Sequence, residues 1–171
     1  MSAGVKHRVQ FHVEDATTTA YPENFYDVVY SRDTILHIKD KLALFKLFHK
    51  SLRPGGKLLI SDYCKGDKAQ LGQDFQEYVK QRGYNLLTVP EYGETLEEAG
   101  FANVEAVDNT EYFIEILNKE LELFRPKKSE MEREYTLKDY DDIVSGWEEK
   151  VVRCGKGDQV WGLFVAEKLY E

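Results

Sequence analysis

Short apolar runs alternate along this chain with longer segments of helical period, and that alternation constrains the fold more than any other feature. Residues 9–13 (VQFHV), 26–30 (YDVVY), 57–61 (KLLIS), 104–107 and 159–169 (QVWGLFVAEKL) read as strands. Between them, residues 39–52 place Leu42, Phe45, Phe48 and Leu52 at helical spacing, and Arg53-Pro54-Gly55-Gly56 stops that helix. Further helices are expected over 74–82, over 90–99 ahead of Gly100, and over 112–124 with Phe113, Ile116, Leu117, Leu121 and Phe124 on one face. A last one starts at the cap Thr136 and carries Leu137, Tyr140, Ile143, Val144, Trp147 and Val151; the charged stretch 125–135 is a loop or frayed connection. Strands interleaved with helices predict an α/β domain. In open α/β sheets ligands bind beyond the carboxyl ends of the strands, and Asp15, Ser31-Arg32-Asp33 and Asp62-Tyr63 all fall there.

Composition narrows the partners. The chain has 171 residues, enough for one domain with its own core. With 31 acidic against 23 basic side chains its net charge is −8, which argues against a nucleic-acid surface. An anionic ligand must therefore be held by a local cluster of donors. Cys64 and Cys154 form no CxxC pair, so neither a disulfide scaffold nor a metal site is expected, and a reducing cytoplasm is the natural compartment. No apolar run approaches the roughly 20 residues that cross a bilayer, and MSAGVKHRVQ lacks the apolar core of a signal peptide.

Two stretches carry a wider resemblance: VEDATTTAYPENFYDVVYSRDTILHI (13–38) and LRPGGKLLISDYC (52–64). They resemble class I S-adenosylmethionine-dependent methyltransferases. Three further pieces narrow it: YSRDTILHI (30–38), DYC with EYVKQRGY (62–64, 77–84), and GWEEK with QVWGLF (146–150, 159–164). Together they resemble the phosphoethanolamine N-methyltransferases over nearly the whole chain. The implied reaction moves a methyl group from S-adenosylmethionine to the nitrogen of phosphoethanolamine and its mono- and dimethyl forms, ending at phosphocholine.

The acceptor nitrogen begins as an ammonium, so a base must take its proton and the amine must be held in line with the methyl. His37 is the candidate base. It lies four residues after Asp33, so one helical turn would put both side chains on the same side. The resemblance implies that both belong to the active site; read without it, His37 is an ordinary packed histidine at a helix start. The phosphate needs charge-assisted donors. Tyr78 and Arg82 are four apart, and the resemblance implies a clamp of Tyr63, Tyr78, Arg82, Tyr84 and Lys150. Outside those motifs they would be core-edge aromatics and solvated cations. Asp15, Ala16 and Arg32 match donor-contacting positions. His7, His12 and His49 gain no role, and Trp147 and Trp161 are read as packing a helix on the last strand rather than as an aromatic cage.

The expected fold is a partial Rossmann-like domain over 1–171, a doubly wound sheet missing its first two strands. No glycine-rich turn of the usual donor-binding kind precedes residue 9. That absence predicts little donor affinity for this chain by itself, and a longer parent as the competent enzyme. It also predicts that 9–13 loses both neighbours and that 26–30 becomes an edge open to self-association. Two other readings compete: a truncated, non-catalytic form that binds phosphobase weakly or pairs with a longer chain, and a class I methyltransferase of another small acceptor. Tyr78, Arg82, Tyr84 and Lys150 speak against the last, because an acceptor without phosphate does not need them.

Overall fold

The computed structural model describes residues 8–134 and 136–170; His7 lies outside them. Four strands form one sheet in the order β1-β2-β4-β3. They are β1 (Tyr26–Arg32), β2 (Leu52–Lys65), β3 (Ala102–Asp108) and β4 (Gln159–Glu167). β1 and β2 are parallel, joined by the crossover helix α1 (Lys41–Ser51), while β4 runs antiparallel to both β2 and β3. Helices α2 (Gln73–Arg82) and α3 (Val89–Glu98) join β2 to β3; α4 (Thr110–Phe124), α5 (Lys128–Glu134) and α6 (Leu137–Gly155) join β3 to β4.

The caps are local chemistry. Asp40 accepts the Ala43 amide to start α1 (2.9 Å), and Thr88 with Glu91 closes a reciprocal capping box on α3. Thr136 does the same for α6, with Asp139. The helices bury apolar faces on opposite sides of the sheet. On one, Leu44, Phe45 and Phe48 of α1 and Tyr92 and Leu96 of α3 pack on Leu58, Ile60 and Phe164, with Tyr92 stacked on Phe164 at 4.0 Å. On the other, Phe113, Leu117 and Cys154 pack with Tyr63, Trp147 and Trp161.

Two sequence expectations are corrected. Residues 9–13 are not a strand: they join no ladder of the sheet, and Phe11 and Val13 stand in solvent. Alternation supplies only a face, whereas a strand exists through hydrogen bonds to a neighbour. The Arg53–Gly56 turn, expected to separate helix from strand, is absorbed into β2, because the Gly55 amide donates to Lys168 O (2.7 Å) and Gly56 O accepts from the Lys168 amide (3.0 Å). The charged stretch after α4 is more helical than expected, a 3-10 turn at Arg125–Lys127 running into α5. β1 lies at a sheet edge with Val28 and Tyr30 exposed.

The two kinds of apolar position should separate in denaturant titrations. Leu96→Ala, in the core, should cost about 3 kcal/mol, whereas Val28→Thr on the open edge should change stability by less than about 0.5 kcal/mol.

Candidate active site

The end of β1 sets the first part of the site. Asp33 follows the strand with φ +49, a left-handed backbone for a non-glycine residue, and its amide still donates to Ser61 O at 2.8 Å. Its carboxylate accepts from Trp161 Nε1 (2.9 Å) and from Ser61 Oγ (3.2 Å), with Arg32 Nε at 3.9 Å. A 3-10 turn, Ile35–His37, comes next. The helical turn expected to align Asp33 with His37 is therefore absent: the left-handed residue breaks it, and Asp33 faces Trp161 and Ser61. Ile35 and Leu36 bury themselves in the core, which leaves the His37 ring on the open side, edge-on to Tyr84 at 5.1 Å.

Helix α2 supplies the second part. It ends at Gly83 with φ +66, where the Gly83 amide donates to Lys80 O (3.2 Å) and the Tyr84 amide to Val79 O (3.0 Å). This left-handed closure is a common use of glycine after a helix, and it folds the chain back on the last turn. Tyr84 consequently packs edge-on against Tyr78 at 5.7 Å as well as against His37. The Arg82 guanidinium lies 5.9 Å from the Tyr78 ring. Asn85 ties this segment to the His37 turn, its amide donating to Leu36 O (2.7 Å) and its side chain to His37 O (3.4 Å).

Helix α6 approaches from the opposite wall. Lys150 Nζ lies 5.4 Å from the Tyr63 ring, and the Arg153 guanidinium 3.9 Å from the Tyr78 ring. Tyr78, Arg82, Lys150 and Arg153 line one cavity of about 650 Å³. Tyr63 and Tyr84 flank it through their contacts with Lys150 and Tyr78. Three cations thus converge on one opening in a chain of net charge −8. Burial pulls the Lys150 ammonium below its usual range, and the Arg153 and Arg82 charges add to this against the opposing pull of Tyr78 and Asp33. Hydrogen bonding by Tyr78 favours charged Arg82, while burial raises the Tyr84 and Tyr63 phenols. Asp142 and Glu149 line the same opening but pair with Lys138 and Arg153, so among the described residues Arg82 and Lys150 are the cations there outside any ion pair, an arrangement suited to a small dianion.

Sequence reasoning missed Arg153. Its signal was available, since it follows Lys150 by three residues and so shares a helical face with it. Its Nε donates to Gln159 Oε1 (3.0 Å) and its NH1 to Glu149 (3.2 Å), which fixes the guanidinium over Tyr78. Trp161, read as packing only, does stack on Phe113 (5.1 Å between centroids) but also holds Asp33. Nothing in the sequence indicated that contact across 128 positions.

The three expected donor contacts are more scattered. Asp15 is exposed, and its carboxylate accepts from the Thr17 amide (2.9 Å) and hydroxyl (2.7 Å), which holds it below the usual carboxylate range. Ala16 lines a cavity of about 390 Å³ with Tyr21, Tyr26, Ser31, Thr34 and Ile38. Arg32 opens instead onto a second cavity, of about 360 Å³, beside Asp33, Phe113 and Trp161. Among the described residues, no group of three or more His, Cys, Asp or Glu side chains is placed to hold a metal, and no helix is long and apolar enough to cross a membrane.

Comparison with known proteins adds three findings. The family described as a methyltransferase domain matches residues 2–106. Phosphoethanolamine N-methyltransferase 1 of Zea mays is 52% identical over 167 residues, covering 98% of this chain and 33% of the relative; phosphoethanolamine N-methyltransferase of Plasmodium falciparum is 37% identical over 164 residues, covering 95% and 62%. The chain thus spans about a third of the length of the plant relatives it matches. The solved structure of phosphoethanolamine N-methyltransferase 2 of Haemonchus contortus, in complex with phosphomonomethylethanolamine and S-adenosylhomocysteine, superposes with a TM-score of 0.87 at 36% identity, covering 91% of this chain and 36% of that one.

The lowered Lys150 ammonium has a testable sign. Charged Lys150 is disfavoured in the fold relative to the unfolded chain, so it costs stability at neutral pH, and the cost disappears above its unfolded value of 10.5, where both states are neutral. Lys150→Met should therefore raise the melting temperature by about 2 °C at pH 7. In scanning calorimetry that gain should fade as the pH approaches 10.5.

Proposed function

We propose, from the premise that the chain belongs to the methyltransferase-domain family, that it forms the acceptor-binding and proton-accepting side of an enzyme that methylates the nitrogen of phosphoethanolamine and its mono- and dimethyl forms towards phosphocholine. The observation that carries this reading is the cavity where Tyr78, Arg82, Lys150 and Arg153 converge, one ring contact away from the Tyr84–His37 pair. Phosphate is a tetrahedral, multiply accepting dianion, and guanidinium, ammonium and phenol donors on converging walls are what its oxygens require. Nitrogen and phosphate of a phosphobase are joined by only two carbons. An anion held by Arg82 and Lys150 therefore leaves its amine within a short reach of the His37 side.

His37 takes the proton from the acceptor ammonium, which frees the nitrogen lone pair for attack. Asp33, held by Trp161 and Ser61, adds a fixed negative charge near the same strand end and favours a cationic head group there. The aromatic walls of Tyr84, Tyr78 and Tyr63 exclude water and lend π-faces to a nitrogen that stays cationic once fully methylated. S-adenosylmethionine, the donor, supplies an electrophilic methyl on a sulfonium. The slot lined by Ala16, Tyr21, Tyr26, Ser31 and Thr34 is mostly apolar with a few hydroxyls, which fits an adenine edge, and Asp15 stands beside it in sequence with an ionised carboxylate. Both cysteines are free and buried, which goes with a reducing, cytosolic setting.

Calorimetric titration with phosphocholine tests the reading. Arg82→Ala and Lys150→Met should each weaken binding roughly 10-fold or more, the cost of one charge-assisted contact, whereas His37→Ala should stay within about threefold. Unchanged affinity in both clamp variants would remove the phosphobase assignment. Parallel titration with S-adenosylhomocysteine should show little binding to this chain alone, and micromolar affinity would contradict the expected need for further donor contacts.

A further inference from the structure

Two charged side chains, Lys41 and Asp62, are buried beneath the His37 turn, and the proposed reaction uses neither. Both are nearly inaccessible, at 4% and 0% exposure. Burying charge is costly unless something specific holds it. Lys41 Nζ donates to Ile35 O at 2.9 Å and to Ile38 O at 2.7 Å, the two ends of the turn that carries His37. Asp62 sits at the end of the apolar run of β2, where Oδ2 accepts from the Tyr92 hydroxyl at 3.3 Å and Oδ1 has no hydrogen-bond partner. Together with Asn85, which takes Leu36 O and His37 O, Lys41 engages every carbonyl from residue 35 to 38.

We propose that Lys41, with Asp62 as its buried counter-charge, is a positioning residue that fixes the His37 imidazole through the backbone of residues 35–38. A three-residue 3-10 turn is a weak element, and left to itself it has two short-range hydrogen bonds to define it, His37 N to Thr34 O at 3.3 Å and Ile38 N to Ile35 O at 2.8 Å. Among the described residues, the exposed His37 ring makes one aromatic contact, edge-on to Tyr84. Its aim is therefore inherited from the turn, and the turn is held by the lysine. Burial drives Asp62 up to about 7 and lowers Lys41; the Lys41 charge and the amides of Leu36 and Tyr63 oppose the rise of the carboxyl. The Leu36 amide belongs to the same turn, so the carboxylate acts on this backbone as well. This assignment rests on the reading of His37 as the proton acceptor.

The test is NMR of the whole chain labelled at histidine Cε1, with His37 assigned through His37→Gln. In Lys41→Met the His37 Cε1 signal should shift, while phosphocholine affinity stays within about threefold. Asp62→Asn, which keeps the shape, should move the same signal and serves if the methionine variant does not fold. Leu96→Ala, a core change of the same cluster that removes none of these hydrogen bonds, should leave it in place. An unmoved His37 signal in the folded variant, or an equal shift in Leu96→Ala, overturns the proposal. Loss of phosphocholine binding by the unaltered chain would instead count against the phosphobase reading and leave the His37 comparison standing.

Discussion

The register of β4 is the constraint on which the site depends. This last strand enters between β2 and β3, antiparallel to both, and pairs Tyr63 with Trp161 and Ser61 with Leu163. Cross-strand partners share a face, so the pairing puts the indole beside Phe113 and within reach of Asp33 at the end of β1. A slip of one residue would send Trp161 to the opposite face, where α1 and α3 pack, and release Asp33. The turn before β4 fastens α2 as well: Asp158, buried, accepts from the Gly72 amide at 2.8 Å and Lys68 Nζ at 2.6 Å. One strand thus aligns the carboxylate, the helix carrying Tyr78 and Arg82, and, through Gln159, the guanidinium of Arg153.

Around that frame the molecule accepts several locally unfavourable arrangements, and they cluster at the site. Asp33 has a left-handed backbone, Lys41 and Asp62 are charged groups in the core, and Lys150 is held below its usual pKa beside two guanidiniums. Each would be relieved by a simpler residue. A strained acid, buried ionisable groups and crowded cations recur at functional sites because rigid surroundings hold them in place. Here those surroundings are the Tyr92–Phe164 stack on one face of the sheet and the Phe113–Trp161 stack on the other.

The cation-lined cavity and the His37 turn belong to different elements, yet they are mechanically joined. Asn85 grips two carbonyls of the turn, and Tyr84, its neighbour in sequence, touches both His37 and Tyr78. The Tyr78–Tyr84–His37 ring contacts thus run without a break from α2 to the imidazole.

Much was legible in the sequence because it is local. Helical spacing located the main helices, Thr136 announced the start of the last one, and the apolar runs at 26–30, 57–61, 104–107 and 159–169 became the four strands. The four-residue spacing of Tyr78 and Arg82 likewise put both on one wall of the cavity. What the sequence left open is nonlocal. Whether 9–13 is a strand depends on a neighbour to pair with, and the relation of Asp33 to His37 depends on a backbone reversal that periodicity does not encode. The grip of Trp161 on Asp33, of Lys41 on residues 35–38 and of Arg153 on Tyr78 arises where separate elements meet. Side-chain pattern determines which face an element buries; only strand register and helix packing decide which residues from distant segments end within hydrogen-bonding distance.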